Sequence, residues 1–232
     1  MIENLPAYIA ISFALTTLLS IFCFSMAARH HRLTLLIVIA WLVLQGIIGF
    51  SKFYPQTHTT PPRFALLGMP PLLLVLLMFV TPAGKRFTDS LDPKWLTYLH
   101  TIRIPVEFVL LGLYLHAQVP RLMTFEGRNF DIIAGLSAPF VAYYGYTKHL
   151  LGRTFLLLWN FICLALLLNI VISAVLSIPF AYQQFGFDQP NVAILYFPFV
   201  WLPCVIVPIV FYAHLAVIRQ LLYLKNRFAV IE

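Results

Sequence analysis

The sequence predicts an all-α, polytopic membrane bundle of seven transmembrane helices, with its N-terminus outside and its C-terminus in the cytoplasm. Three observations carry this. Hydrophobic residues make up 61% of the 232-residue chain and charged residues 10%, whereas globular domains average about 45–50% and about 25%. The apolar residues fall into runs of about 20, the length a helix needs to cross a hydrocarbon core about 30 Å thick. Lysine and arginine collect on one side of those runs.

Taken in order, uncharged windows run over 7–28, 33–51, 64–83, 132–147, 154–187 and 189–218, and the remaining span, 95–119, carries two charges. The last two windows exceed one crossing, and the Phe185-Gly186-Phe187-Asp188-Gln189-Pro190 turn chemistry between them separates two helices. The 132–147 window is the shortest and is interrupted by Gly135 and Pro139. If it is re-entrant, six crossings remain and the C-terminus changes sides. Prolines 70, 71, 139, 198, 203 and 208 lie within apolar runs, where each frees a backbone carbonyl that a neighbour must satisfy.

Orientation follows from the basic residues. In the seven-helix arrangement, ten Lys and Arg face one side, among them Arg29, Arg32, Lys85, Arg86, Lys225 and Arg227. Four face the other: Lys52, Arg63, Arg121 and Arg128. The richer side is cytoplasmic. This accounts for the net charge of +7 without nucleic acid, because cytoplasmic loops meet an anionic leaflet. The start, Met-Ile-Glu-Asn-Leu-Pro, lacks a basic n-region, so the first helix reads as an uncleaved anchor. Short loops and the lack of a linker or repeat predict one integral membrane domain over 1–232, in a bacterial inner (plasma) membrane. The bilayer is its first partner, and homo-oligomers are compatible with this reading.

The chemistry concentrates on the fourth span, in Leu96-Thr-Tyr-Leu-His100-Thr-Ile-Arg103-Ile-Pro105-Val-Glu107. Glu107 lies about 18 Å along the helix from Trp95, close to the midplane. A charge at that depth costs roughly 2.5–3.5 kcal/mol on insertion scales. Arg103 and Glu107 are four residues apart and share a face, so the reading is a mutually neutralising pair, with His100 on the same stripe. Pro105 cannot donate to the carbonyl of Thr101, so a kink is expected beside them.

Asn169, Tyr212 and His214 fall where an interior cavity could collect them, and Asn169 is read as deeper than Asn160. The outward loop 121–131 is rich in charge, with Glu126, Arg128 and Asp131 as candidate ligand contacts in a lid, and with Asn129 or Thr124 as a cap.

These residues point to a buried polar site for a small polar or anionic solute, serving transport or sensing. The alternative is a membrane scaffold or assembly subunit in which the pair fixes helix register. No catalytic set, metal site or cofactor is implied. The seven histidines form no His-x-x-x-His pair, Cys23, Cys163 and Cys204 sit inside apolar runs, and no Schiff-base lysine lies within the last span. Seven-helix sugar transporters of the PQ-loop type are similar in length and orientation, yet Pro55-Gln56 lies in a loop and no three-helix repeat is visible.

Overall fold

A computed structural model describes residues 2, 5–29 and 31–223. These form an all-α assembly with no strand among them: α1 (Ala7–Ala27), α2 (Arg32–Phe50), α3 (Ala65–Val80), α4 (Pro82–Ser90), α5 (Pro93–Leu99), α6 (Arg103–Leu115), α7 (Asp131–Ala142), α8 (Arg153–Val175) and α9 (Val207–Tyr223). Lys225 and Arg227, counted above toward the basic side, lie outside the described residues.

Five helical stretches are long and apolar enough to cross a membrane: α1, α2, the continuous rod Pro93–Leu115, α8 and Leu202–Tyr223. The bent pair α3 and α4 makes a sixth if it is one span. The surface fits that reading. On α1, Ile11, Leu15, Leu18 and Phe22 point outward and are more than half exposed, while Ile9, Phe13, Thr17 and Ser20 point inward. An apolar outer stripe of this kind belongs against lipid rather than water.

The fourth rod is not one uniform helix. α5 and α6 are joined by a 3₁₀ turn over His100–Ile102. Pro105 explains the tightening, since its missing N–H and its ring disrupt the bond to Thr101. Pro139 stands inside α7, which runs for 12 residues and ends in a five-residue π turn, Tyr143–Thr147. The last rod starts later than its window suggested. Residues 189–201 are mostly irregular, and a π turn, Leu202–Ile206, leads into α9. Pro208 cannot donate to the Cys204 carbonyl, and Trp41 Nε1 fills that place from α2 at 2.9 Å. Trp201 Nε1 returns the favour to the Leu42 carbonyl at 3.0 Å.

The third window hides a corner. α3 ends at Val80 and the chain turns by 92° into α4. Thr81 caps α4 through its side-chain oxygen, which accepts from Gly84 N at 3.1 Å, with Pro82 at the first helical position. A Cβ at Gly84 would lie 2.5 Å from Met78 Cα, so only glycine allows this approach. α4 is then tied to α9: Arg219 pairs with both carboxylate oxygens of Asp89 at 2.8 and 2.9 Å. Gln220 Nε2 donates to the carbonyls of Thr88 and Leu91.

Candidate functional site

The interior of the bundle where α6, α7, α8 and α9 meet holds the polar centre. Arg103 Nη1 donates to Asp131 Oδ1 at 2.7 Å and to the Cys163 carbonyl at 3.3 Å. Arg103 Nη2 lies 2.9 Å from His214 Nε2. A guanidinium only donates, so that ring nitrogen is the acceptor and the proton of His214 sits on Nδ1. Nδ1 faces Asn160 Oδ1 at 2.9 Å, and Asn160 Nδ2 donates to the Leu156 carbonyl at 2.8 Å. The direction of each bond in this chain is therefore fixed by the guanidinium.

A second arm runs the other way. Asp131 N donates to Asn129 Oδ1 at 3.1 Å, and Asn129 Nδ2 donates to the Met123 carbonyl at 3.0 Å and to Glu107 Oε1. Asn129 thus stands between the two carboxylates. Its loop is folded into the bundle, with Met123, Thr124 and Asn129 all buried.

The expected ion pair between Arg103 and Glu107 is not formed. Both side chains turn inward, as their shared face requires, but Arg103 takes Asp131 and Glu107 takes Asn129. A carboxylate at the start of α7 can meet the guanidinium because the two helices touch closely. A Cβ at Gly135 would lie 2.9 Å from Ile104 Cγ1 and 3.2 Å from Arg103 Cβ. Gly135 is one turn beyond Asp131, so this contact holds the carboxylate in place.

His100 is fully buried and stacks on His214, with ring centroids 3.8 Å apart and planes inclined by 12°. Trp159 meets His100 edge-on at 5.6 Å and His214 at a tilt at 5.9 Å, and its Nε1 donates to Ser137 Oγ at 2.9 Å. Glu107 Oε2, Arg103 Nε and both ring nitrogens of His100 have no hydrogen-bond partner among the described residues. Buried polar atoms are rarely left so, and here they share one cluster. An imidazolium needs an acceptor for each N–H, so His100, beside a guanidinium and with neither nitrogen engaged, is a poor seat for a cation. The centre then contains one guanidinium and two carboxyl groups.

Other sequence candidates fall elsewhere. Asn169 is exposed, and its Nδ2 donates to the Arg128 carbonyl at 3.1 Å, so it anchors the 121–131 loop. Tyr212 is buried on the opposite side of α9 from His214, where its hydroxyl lies 2.7 Å from Thr88 Oγ1. Glu126 and Arg128 are exposed, while Asp131 is only 6% exposed and belongs to the core. Sequence reasoning underrated Asn160 and gave Asn129 no role beyond a cap.

A family model described as a domain of unknown function, DUF8737, matches residues 60–222. The chain belongs to that family. The DUF8737 match takes in every residue of the polar centre, from His100 to His214, whereas α1 and α2 precede it. No curated protein and no solved structure matches the chain.

Proposed function

We propose that this chain is an integral protein of a bacterial inner (plasma) membrane, crossing it seven times with the N-terminus outside and the C-terminus inside. Its polar centre binds a small polar solute for transport or sensing. The ten-to-four division of basic residues supports the orientation. α7 with its π turn supplies the seventh crossing, at 12 and 5 residues, shortened because the loop before it enters the bundle.

One observation carries the functional reading. A centre with two carboxyl groups and one guanidinium has a surplus negative charge, and Glu107, with Oε2 unengaged, is where it falls. An uncompensated charge is costly at such depth. The group therefore takes up a proton or another small cationic or protic species. An anionic solute is disfavoured, since Arg103 already spends its terminal nitrogens on Asp131, Cys163 and His214.

The test is proton uptake into liposomes containing the purified protein under an imposed pH gradient, read by an entrapped dye. The proposal expects uptake by the wild type and its loss in Glu107→Gln, with thermal unfolding unchanged. A second reading, the structural scaffold, is favoured by the sealing of the centre: His100, Asn129 and His214 are 0% exposed, Glu107 1% and Arg103 3%. It expects no uptake by either protein and no spectroscopic change at Glu107 with pH.

A further inference from the structure

Away from the polar centre, a groove of about 460 Å³ opens between α2, α3, α4 and α9. α2 is held mainly by α1 and by the turn leading into α9, which leaves its flank toward α3 open. Val38, Trp41, Leu74, Val75, Met78 and Ile209 are among the residues lining it. The Trp41 indole N–H and the Cys204 carbonyl satisfy one another, so the walls offer almost no free polar atom. Polarity appears at one end only, where His31, Thr34 and Thr81 line the mouth and the His31 and Phe87 rings meet edge-on at 6.0 Å.

From His31 to Trp41 the groove runs along α2 for about 15 Å. It is narrow, almost wholly apolar and open along one side, which suits one extended alkyl chain lying between the helices.

The charge around the mouth identifies the other end of the ligand. Arg32 adjoins His31, and Arg86 adjoins Phe87; both are exposed, and Lys85 adjoins Gly84 on the same short helix. The nearby acid Asp89 is already paired with Arg219. In the orientation proposed above, this mouth faces the cytoplasmic leaflet, where anionic lipids gather.

We propose that the groove is a binding site for an anionic glycerophospholipid, with one acyl chain between α2 and α3 and the phosphate at Arg32 and Arg86. The 92° corner at Thr81 builds the site, because it lays α4 across the end of the groove, where Ala83, Gly84 and Phe87 line it and Lys85 and Arg86 stand next to them in the chain.

The experiment uses the full chain in nanodiscs of mixed phosphatidylglycerol and phosphatidylcholine, with a photoreactive group on the phosphatidylglycerol acyl chain. Crosslinks are expected in peptides carrying Val38, Leu74 and Met78, above those on the outward stripe of α1. Enrichment of phosphatidylglycerol over phosphatidylcholine should fall about five-fold for each basic side chain removed, in Arg32→Ala and Arg86→Ala. Leu74→Trp, which fills the groove, should abolish the crosslinks with the melting temperature unchanged. If that variant fails to fold, Met78→Trp reports the same occupancy from one turn further along α3. Crosslinks spread evenly over the outer surface, enrichment indifferent to both arginines, or crosslinks joining two copies through the groove would each overturn the proposal.

Discussion

The Arg103 guanidinium and the Asp131 carboxylate meet at 2.7 Å although 28 residues separate them, and both lie inside the bundle. The contact joins α6 to α7, and Gly135 brings the two backbones together. Breaking such a pair leaves one ion without a partner and costs about 3–5 kcal/mol. Asp131→Asn is therefore expected to lower stability by that amount in denaturant unfolding. Glu107→Gln, which removes the surplus charge and keeps an acceptor for Asn129, is expected to change it by less than about 1 kcal/mol. Gly135→Leu should behave like Asp131→Asn, because it separates the helices that carry the pair.

The hydrogen-bond chain from Arg103 through His214 ends on Asn160. Asn160→Leu leaves the Nδ1–H of His214 buried without an acceptor, at an expected cost of about 1–3 kcal/mol. Nitrogen-15 spectra of the wild type should show His214 neutral, with its proton on Nδ1. A proton on Nε2 would contradict the order of donors described here.

Which of these features can be read from the chain follows from geometry. A window such as 7–28 or 33–51 has one stable form in lipid, so α1 and α2 fall within a residue or so of their windows. Depth along a span is equally legible, and it places Arg103 and Glu107 inside. Rotation about the helix axis is not. Asn160 and Asn169 are nine residues apart, which puts them about 180° apart around α8. Asn160 faces inward and Asn169 outward, and Asn169 looked the deeper only because the 154–187 window overran α8, which ends at Val175. Tyr212 and His214 divide α9 in the same way. The partner of Arg103 was beyond reach for another reason. The i, i+4 relation to Glu107 is local, whereas Asp131 depends on how closely α7 packs at Gly135. The corner at Thr81 was hidden because an apolar run shows hydropathy and not direction.

That corner supplies a prediction of its own. A methyl group at position 84 would lie within 2.8 Å of three backbone atoms of Met78, so Gly84→Ala must open the bend. The expected cost is about 1–3 kcal/mol, as for overpacking of a close contact. The variant should also weaken the Arg219–Asp89 pair, read as faster proteolysis near α4.

A gain is expected at the end of α6. Gln118 N donates to the Leu113 carbonyl at 2.9 Å and Ala117 N to the Tyr114 carbonyl at 3.0 Å, the pattern of a helix stop that favours glycine at its left-handed position. Ala117 occupies that position with φ 57°. Ala117→Gly should raise stability by up to about 1 kcal/mol, measured as a higher melting temperature.

The central claim is that Glu107 carries the surplus charge of a sealed centre and is the group that accepts a proton. Infrared spectroscopy of the protein in lipid, comparing wild type with Glu107→Gln across a change in pH, tests it most directly. The account predicts a protonated carboxylic C=O band in the wild type that is absent from Glu107→Gln. Identical spectra from the two proteins would contradict it.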